Sequence, residues 1–188
     1  MSLDYYLYLK NPDAFSNAVF EDYCASLGFD VKLHPDANLM SDDGFVPVCL
    51  TDDRFAQNGG NQFLTGVESF PAPYQPVARD TSKPRGLFGL FQKKPKEETP
   101  FERKIKDSAI VLALTCRSMD SFEHIIAILL GAFCVRHCGG FFDDPQMGRY
   151  YDDAEELEQE TLVYAVNELI EEAEEEDLRT HPFEGWLS

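Results

Sequence analysis

Residues 109–151, AIVLALTCRSMDSFEHIIAILLGAFCVRHCGGFFDDPQMGRYY, hold the pattern that decides the fold. Ala109 to Cys116 is an almost continuous apolar run, which suits a central strand covered on both faces. Asp120 and Glu123 have the spacing of a capping box, and Phe122 to Val135 is apolar nearly all round. Together they predict the most buried helix of the protein, ended by Gly139-Gly140. Phe141-Phe142 and Arg149-Tyr150-Tyr151 then read as a short hairpin, turned by Asp144-Pro145-Gln146-Met147-Gly148.

Working outward, the N-terminal half repeats this order. Leu3, Tyr5, Leu7 and Leu9 alternate as in a strand, and Asn11-Pro12 opens a helix expected from about Pro12 to Leu27. That helix should bury Phe15, Val19, Tyr23 and Leu27 and stop at Gly28. Phe29 to Leu33, Phe45 to Leu50 and Phe63 to Phe70 read as further strands, with Pro47 favouring an edge or a bulge. A last helix from about Ala154 to Leu178 places Leu162, Ala165, Val166, Leu169, Ile170 and Ala173 on one face, capped by Asp152 or Asp153. The expectation is a single α+β domain over residues 1–188, a mixed β-sheet with three main helices packed on it. The split β-α-β pattern makes a ferredoxin-like core a candidate.

Composition supports a packed globule: 44% of the 188 residues are hydrophobic, with 15 Phe and 8 Tyr. The opening MSLDYYLYLK lacks the basic and apolar regions of a secretory signal. The longest apolar run, Ile125 to Val135, falls far short of the ~20 residues of a membrane helix, so a soluble, cytoplasmic protein is expected. Cysteines 24, 49, 116, 134 and 138 lie in apolar stretches and read as buried thiols without disulfides.

Charge is the strongest compositional signal, 34 acidic against 16 basic residues for a net of −18. It is unevenly spread: −8 over residues 1–78, +5 over 79–106 and −15 over 107–188. Such a surface repels nucleic-acid phosphate and anionic lipid and attracts basic proteins or cations, though acidity also serves plain solubility. Residues 79–106, RDTSKPRGLFGLFQKKPKEETPFERKIK, form a basic Pro/Gly/Lys-rich stretch. It reads as a linker between two halves or as a long loop with Leu87-Phe88 and Leu90-Phe91 at its tip.

Three groups of residues could carry chemistry. Cys134, His137 and Cys138 share a helical face, with Cys116 on the preceding strand, but the spacing is not that of a zinc site and buried thiols are the simpler reading. Asp143, Asp144, Asp152 and Asp153 flank one hairpin and could hold a divalent ion, yet Asp is equally a turn and N-cap residue. There is no G-x-S-x-G, P-loop, G-x-G-x-x-G or H-E-x-x-H pattern, so no catalytic residue, metal or cofactor is assigned. The third group is the outer face of the last helix. Glu171, Glu172, Glu174, Glu175, Glu176 and Asp177 stand at its C-terminal end, where negative charge opposes the helix dipole, and Arg179 is the only local cation. A cluster that weakens its own helix is easier to explain by a basic partner than by folding, with Glu168, Glu171, Glu172 and Glu175 as the binding face and Tyr150 and Tyr151 as aromatic anchors; the alternative is a solvated helix end.

The stretch Gly139-Gly140-Phe141-Phe142-Asp143-Asp144-Pro145-Gln146-Met147-Gly148-Arg149-Tyr150-Tyr151, after a helix rich in Ile, Leu and Ala, resembles the immunity proteins of contact-dependent and related inhibition systems. These are small bacterial proteins encoded beside secreted toxins. The resemblance covers the C-terminal part of the chain and implies a protein that binds a cognate toxin and blocks it, often through acidic surfaces when the toxin is a basic nuclease. It implies no catalytic residues. The expected function is therefore a non-enzymatic acidic binding protein or adaptor that blocks a basic protein, with no nucleic acid or membrane partner. The alternative is a small enzyme or divalent-ion-binding protein using the Asp-rich hairpin at 143–153.

Overall fold

Alternating burial in the strands sets up one sheet with a heavily covered face and a lightly covered one. The computed structural model describes residues 2–56, 60–76, 98–117, 120–175 and 178–180. Its strands are β1 (Ser2–Leu9), β2 (Asp30–Leu33), β3 (Gly44–Thr51), β4 (Gln62–Pro73), β5 (Ile110–Arg117), β6 (Phe141–Asp144) and β7 (Arg149–Tyr151). The helices are α1 (Asn17–Ser26), α2 (Pro100–Ile105), α3 (Glu123–His137), α4 (Ala154–Glu156) and α5 (Val163–Glu174), the last two joined by a π-helical turn, Leu157–Leu162. The α+β class and the three main helical elements agree with the sequence reading.

The sheet runs β2-β3-β4-β5-β1-β6-β7, with every neighbouring pair antiparallel. It is thus antiparallel throughout rather than mixed. The reason is topological: β5 and β6 run the same way, but the crossover through α3 skips a strand and leaves β1 between them. The inner strands β4-β5-β1-β6, with α1 and α3, have the strand order of a split β-α-β-β-α-β core. The β2–β3 pair extends it at one edge and β7 at the other.

Directly opposed residues share a face, so Leu112, Leu7, Phe142 and Tyr151 form one row beneath the helices. Tyr5 and Leu9 point the same way, and α3 lies over them with nearly every residue from Glu123 to Val135 buried. Helix and sheet meet most closely at Gly131, where an added Cβ would come 2.3 Å from Cδ2 of Phe142. Phe133, fully buried, is the hub of an aromatic cluster with Phe15, Phe20, Tyr23 and His137 that ties α1 to α3.

The opposite face carries Phe70, Ala113, Tyr6, Asp143 and Tyr150 in one cross-strand row. Here α2 docks, with the Phe101 ring 5.5 Å from Tyr8 and 5.2 Å from Tyr150. A reciprocal capping box between Thr99 and Glu102 starts α2. The end of the basic stretch is therefore a helix and not linker, while residues 77–97, including Leu87-Phe88 and Leu90-Phe91, lie outside the described residues. Strand β5 is central, yet only Leu112, Leu114 and Cys116 are buried; Val111, Ala113 and Thr115 are half-buried because this face is less fully covered.

Two further expectations change in detail. Pro12–Ala14 forms a separate 3-10 turn, and α1 restarts from Ser16, whose hydroxyl accepts from the Val19 amide. That restart turns Val19 outward and buries Phe20, Tyr23 and Cys24. Pro47 sits in an inner strand, but its carbonyl faces His34, just past the end of the short β2, so the missing N–H falls where the β2 ladder has already stopped.

Asp120 and Glu123 do not form a capping box. Asp120 Oδ1 accepts from the Phe122 amide and the Thr65 hydroxyl, while Glu123 turns back to accept from the Arg117 amide. Burial, with Asp120 and Glu68 nearby, outweighs Arg117 and raises the Glu123 carboxyl to about 7. A raised folded-state pKa means that the native state holds a proton which the unfolded chain releases near its ordinary value. This residue's stabilising share is present below about pH 4.5 and is lost as pH rises through about 7. Glu123→Gln is expected to match wild type near pH 5 and to exceed it by about 1–3 kcal/mol near pH 8, measured by urea unfolding. Parallel pH profiles of the two proteins would contradict the assignment.

Candidate binding cleft and acidic face

The π-helical turn shapes the site. It spaces Leu157 and Leu162 five residues apart yet buries both, so the helix keeps its apolar stripe while Glu160 and Thr161 project beside it. The turn, the start of α3, the beginning of β1 and the β6–β7 hairpin enclose a cleft of about 440 Å³. Its lining includes Tyr5, His124, Asp144, Arg149, Tyr151 and Glu168. A smaller recess of about 210 Å³ adjoins it, sharing His124 and Glu168 and adding Glu172 and Arg179.

Aromatic rings form the floor. His124 stacks on Tyr5 at 5.8 Å and 6°, and Tyr5 in turn stacks on Phe142 at 5.1 Å. Burial lowers the His124 pKa and favours the neutral imidazole, against the pull of Glu168 and Asp144. Burial, with Cys116, Asp144 and Glu168 in support, raises Tyr5 far above its ordinary range and keeps the phenol protonated. Tyr151 is buried and its hydroxyl meets that of Thr161 at 3.2 Å. At the rim, Arg149 Nη1 donates to Glu160 Oε2 at 3.3 Å.

The site residues expected from sequence divide into two places. Glu168 and Glu172 line the cleft and its recess, with Glu172 Oε1 3.8 Å from Arg179. Glu171 and Glu175 are exposed on α5 and at its C-terminal cap, next to Glu174. Glu171, Glu174 and Glu175 form no ion pair among the described residues. Tyr150 and Tyr151, adjacent in a strand, point to opposite faces of the sheet. Tyr151 belongs to the cleft, whereas Tyr150 packs with Phe101 and under Lys104 on the far face, away from the acidic helix.

The Asp-rich hairpin does not converge. Asp144 Oδ1 accepts from the Gln146 and Met147 amides to hold the turn, Asp153 caps α4 through the Glu155 amide, Asp152 pairs with Lys104, and Asp143 faces the other side of the sheet. Among the described residues no three His, Cys, Asp or Glu side chains are grouped to hold a metal ion. All five cysteines are free and buried, and Cys116 donates to the Glu123 carbonyl at 3.5 Å instead of joining Cys134 and Cys138. No helix among the described residues is long and apolar enough to cross a membrane.

Sequence reasoning missed Tyr5, His124, Asp144 as a cleft residue, Glu160, Thr161 and Tyr164, because four separate segments bring them together. No protein-family model, no curated protein and no solved structure matches the chain.

Proposed function

We propose that this chain is a non-enzymatic acidic binding protein that captures and blocks a basic protein partner in the cytoplasm, as an immunity protein does. One observation carries the reading: Glu171, Glu174 and Glu175 crowd the negative end of α5 with no ion pair among the described residues. Their carboxylates oppose the helix dipole and each other, each at a cost of a few tenths of a kcal/mol to about 1 kcal/mol. Lysines and arginines of a partner would offset that cost and be drawn in by the −15 charge of residues 107–188. Neither anionic lipid nor nucleic acid gains anything from such a surface.

The test is kinetic. A partner captured from the native organism's lysate should be basic, and its association rate should fall at least tenfold between ~50 mM and ~500 mM salt, because the attraction acts over a screened distance. A captured partner that is acidic, or one whose association rate is indifferent to salt, would overturn the proposal.

A further inference from the structure

We propose that the cleft between the β6–β7 hairpin, the π-helical turn and α5 receives the guanidinium of an arginine side chain presented by the basic partner. The inference rests on the reading of the chain as a binder of basic protein and names the anchor. A volume of about 440 Å³ is far beyond the ~30 Å³ share of a single water and falls within the ~300–1,000 Å³ of pockets that take a molecule or a side chain.

The walls select the chemistry. Tyr164 and the partly exposed His124 present ring surface over a floor of the buried Tyr5 and Tyr151, which suits a planar, weakly hydrated cation that stacks. Three carboxylates line the same space, Asp144, Glu160 and Glu168, against one cation, Arg149, and that cation is engaged with Glu160. Asp144 and Glu168, the latter beside the Tyr164 hydroxyl, are left to meet a charge from outside. Asp144 is only 5% exposed, and while its Oδ1 holds the turn, its Oδ2 takes no hydrogen bond among the described residues. That oxygen is open to the cleft, where a guanidinium N–H can reach it in a charge-assisted hydrogen bond. The His124 ring, held neutral, adds a stacking surface without repelling the cation. An ammonium has no planar face to lay on the rings and is more strongly hydrated, so lysine fits the cleft less well.

The experiment titrates the full chain with Nα-acetyl-arginine methylamide, following NMR signals of His124, Met147 and Tyr164. The matched citrulline analogue, a neutral isostere, and the lysine analogue run in parallel. Saturable shifts are expected for arginine at an affinity at least tenfold above citrulline and clearly above lysine. Glu168→Gln, on the exposed side of α5, should weaken arginine binding at least threefold and leave unfolding unchanged, and Asp144→Asn, which keeps the turn-capping oxygen, should weaken it further. No saturable shift, or citrulline or lysine matching arginine, would overturn the proposal. The two readings fail separately: salt-dependent capture of a basic partner without arginine binding refutes only the cleft. If arginine binds but partner affinity is unchanged by Glu168→Gln, the cleft serves a free guanidinium ligand and the anchoring role is refuted.

Discussion

Phe133→Ala is expected to destabilise the protein by about 3–5 kcal/mol. The side chain has no exposed surface, and its ring meets Phe15, Phe20, Tyr23 and His137 at centroid distances of 4.6–5.5 Å. Removing it deletes the apolar transfer term, the edge-to-face ring contacts and the dispersion partners of four neighbours at once. The cavity cannot easily close, because α1 is held by its own strand connection and α3 by the close approach of Gly131 to Phe142. A loss of that size is a large part of the typical ~5–15 kcal/mol of a domain. Urea unfolding should show a lower midpoint with a similar slope. A loss below about 1 kcal/mol would mean that α1 and α3 are not packed around this ring.

Local periodicity made most of the fold legible. The alternation of Leu3, Tyr5, Leu7 and Leu9, the all-apolar Phe122 to Val135 and the glycine-bracketed hairpin each translate into β1, α3 and β6–β7 with small shifts at the ends. Strand direction was not legible, because nothing local records that β1 is inserted between β5 and β6. The break at Phe15 and Ser16 was not read from the sequence, where Asn11-Pro12 marked the helix start. The cleft lay beyond the sequence for a related reason. Its residues come from β1, α3, the hairpin and the last helix, and the cue to its shape is one irregular interval, five residues from Leu157 to Leu162 where a regular helix asks for three or four. Tyr150 and Tyr151 illustrate the reverse error. Adjacent aromatics look like one anchor in a sequence, but in a strand they belong to opposite surfaces.

The acidic face was legible as charge, and its placement sharpens the test. Glu172 lies beside Arg179 and borders the cleft, so reversing it would disturb more than the outer surface. Glu171, Glu174 and Glu175 are exposed neighbours at spacings of three and four. Replacing all three with lysine should leave stability unchanged or raise it by up to about 1 kcal/mol, because cations suit the C-terminal end of a helix. It should also reverse the local field that a basic partner would meet.

The most direct measurement is therefore the affinity of the Glu171→Lys, Glu174→Lys, Glu175→Lys protein for the basic partner that wild type captures. At unchanged or improved folding stability, binding should be at least tenfold weaker, about 1.4 kcal/mol or more, with most of the loss in the association rate and little remaining salt dependence. Equal affinity and an unchanged association rate in a fully folded triple variant would contradict a partner-binding role, and the acidic end of α5 would then be a solvated surface and nothing more.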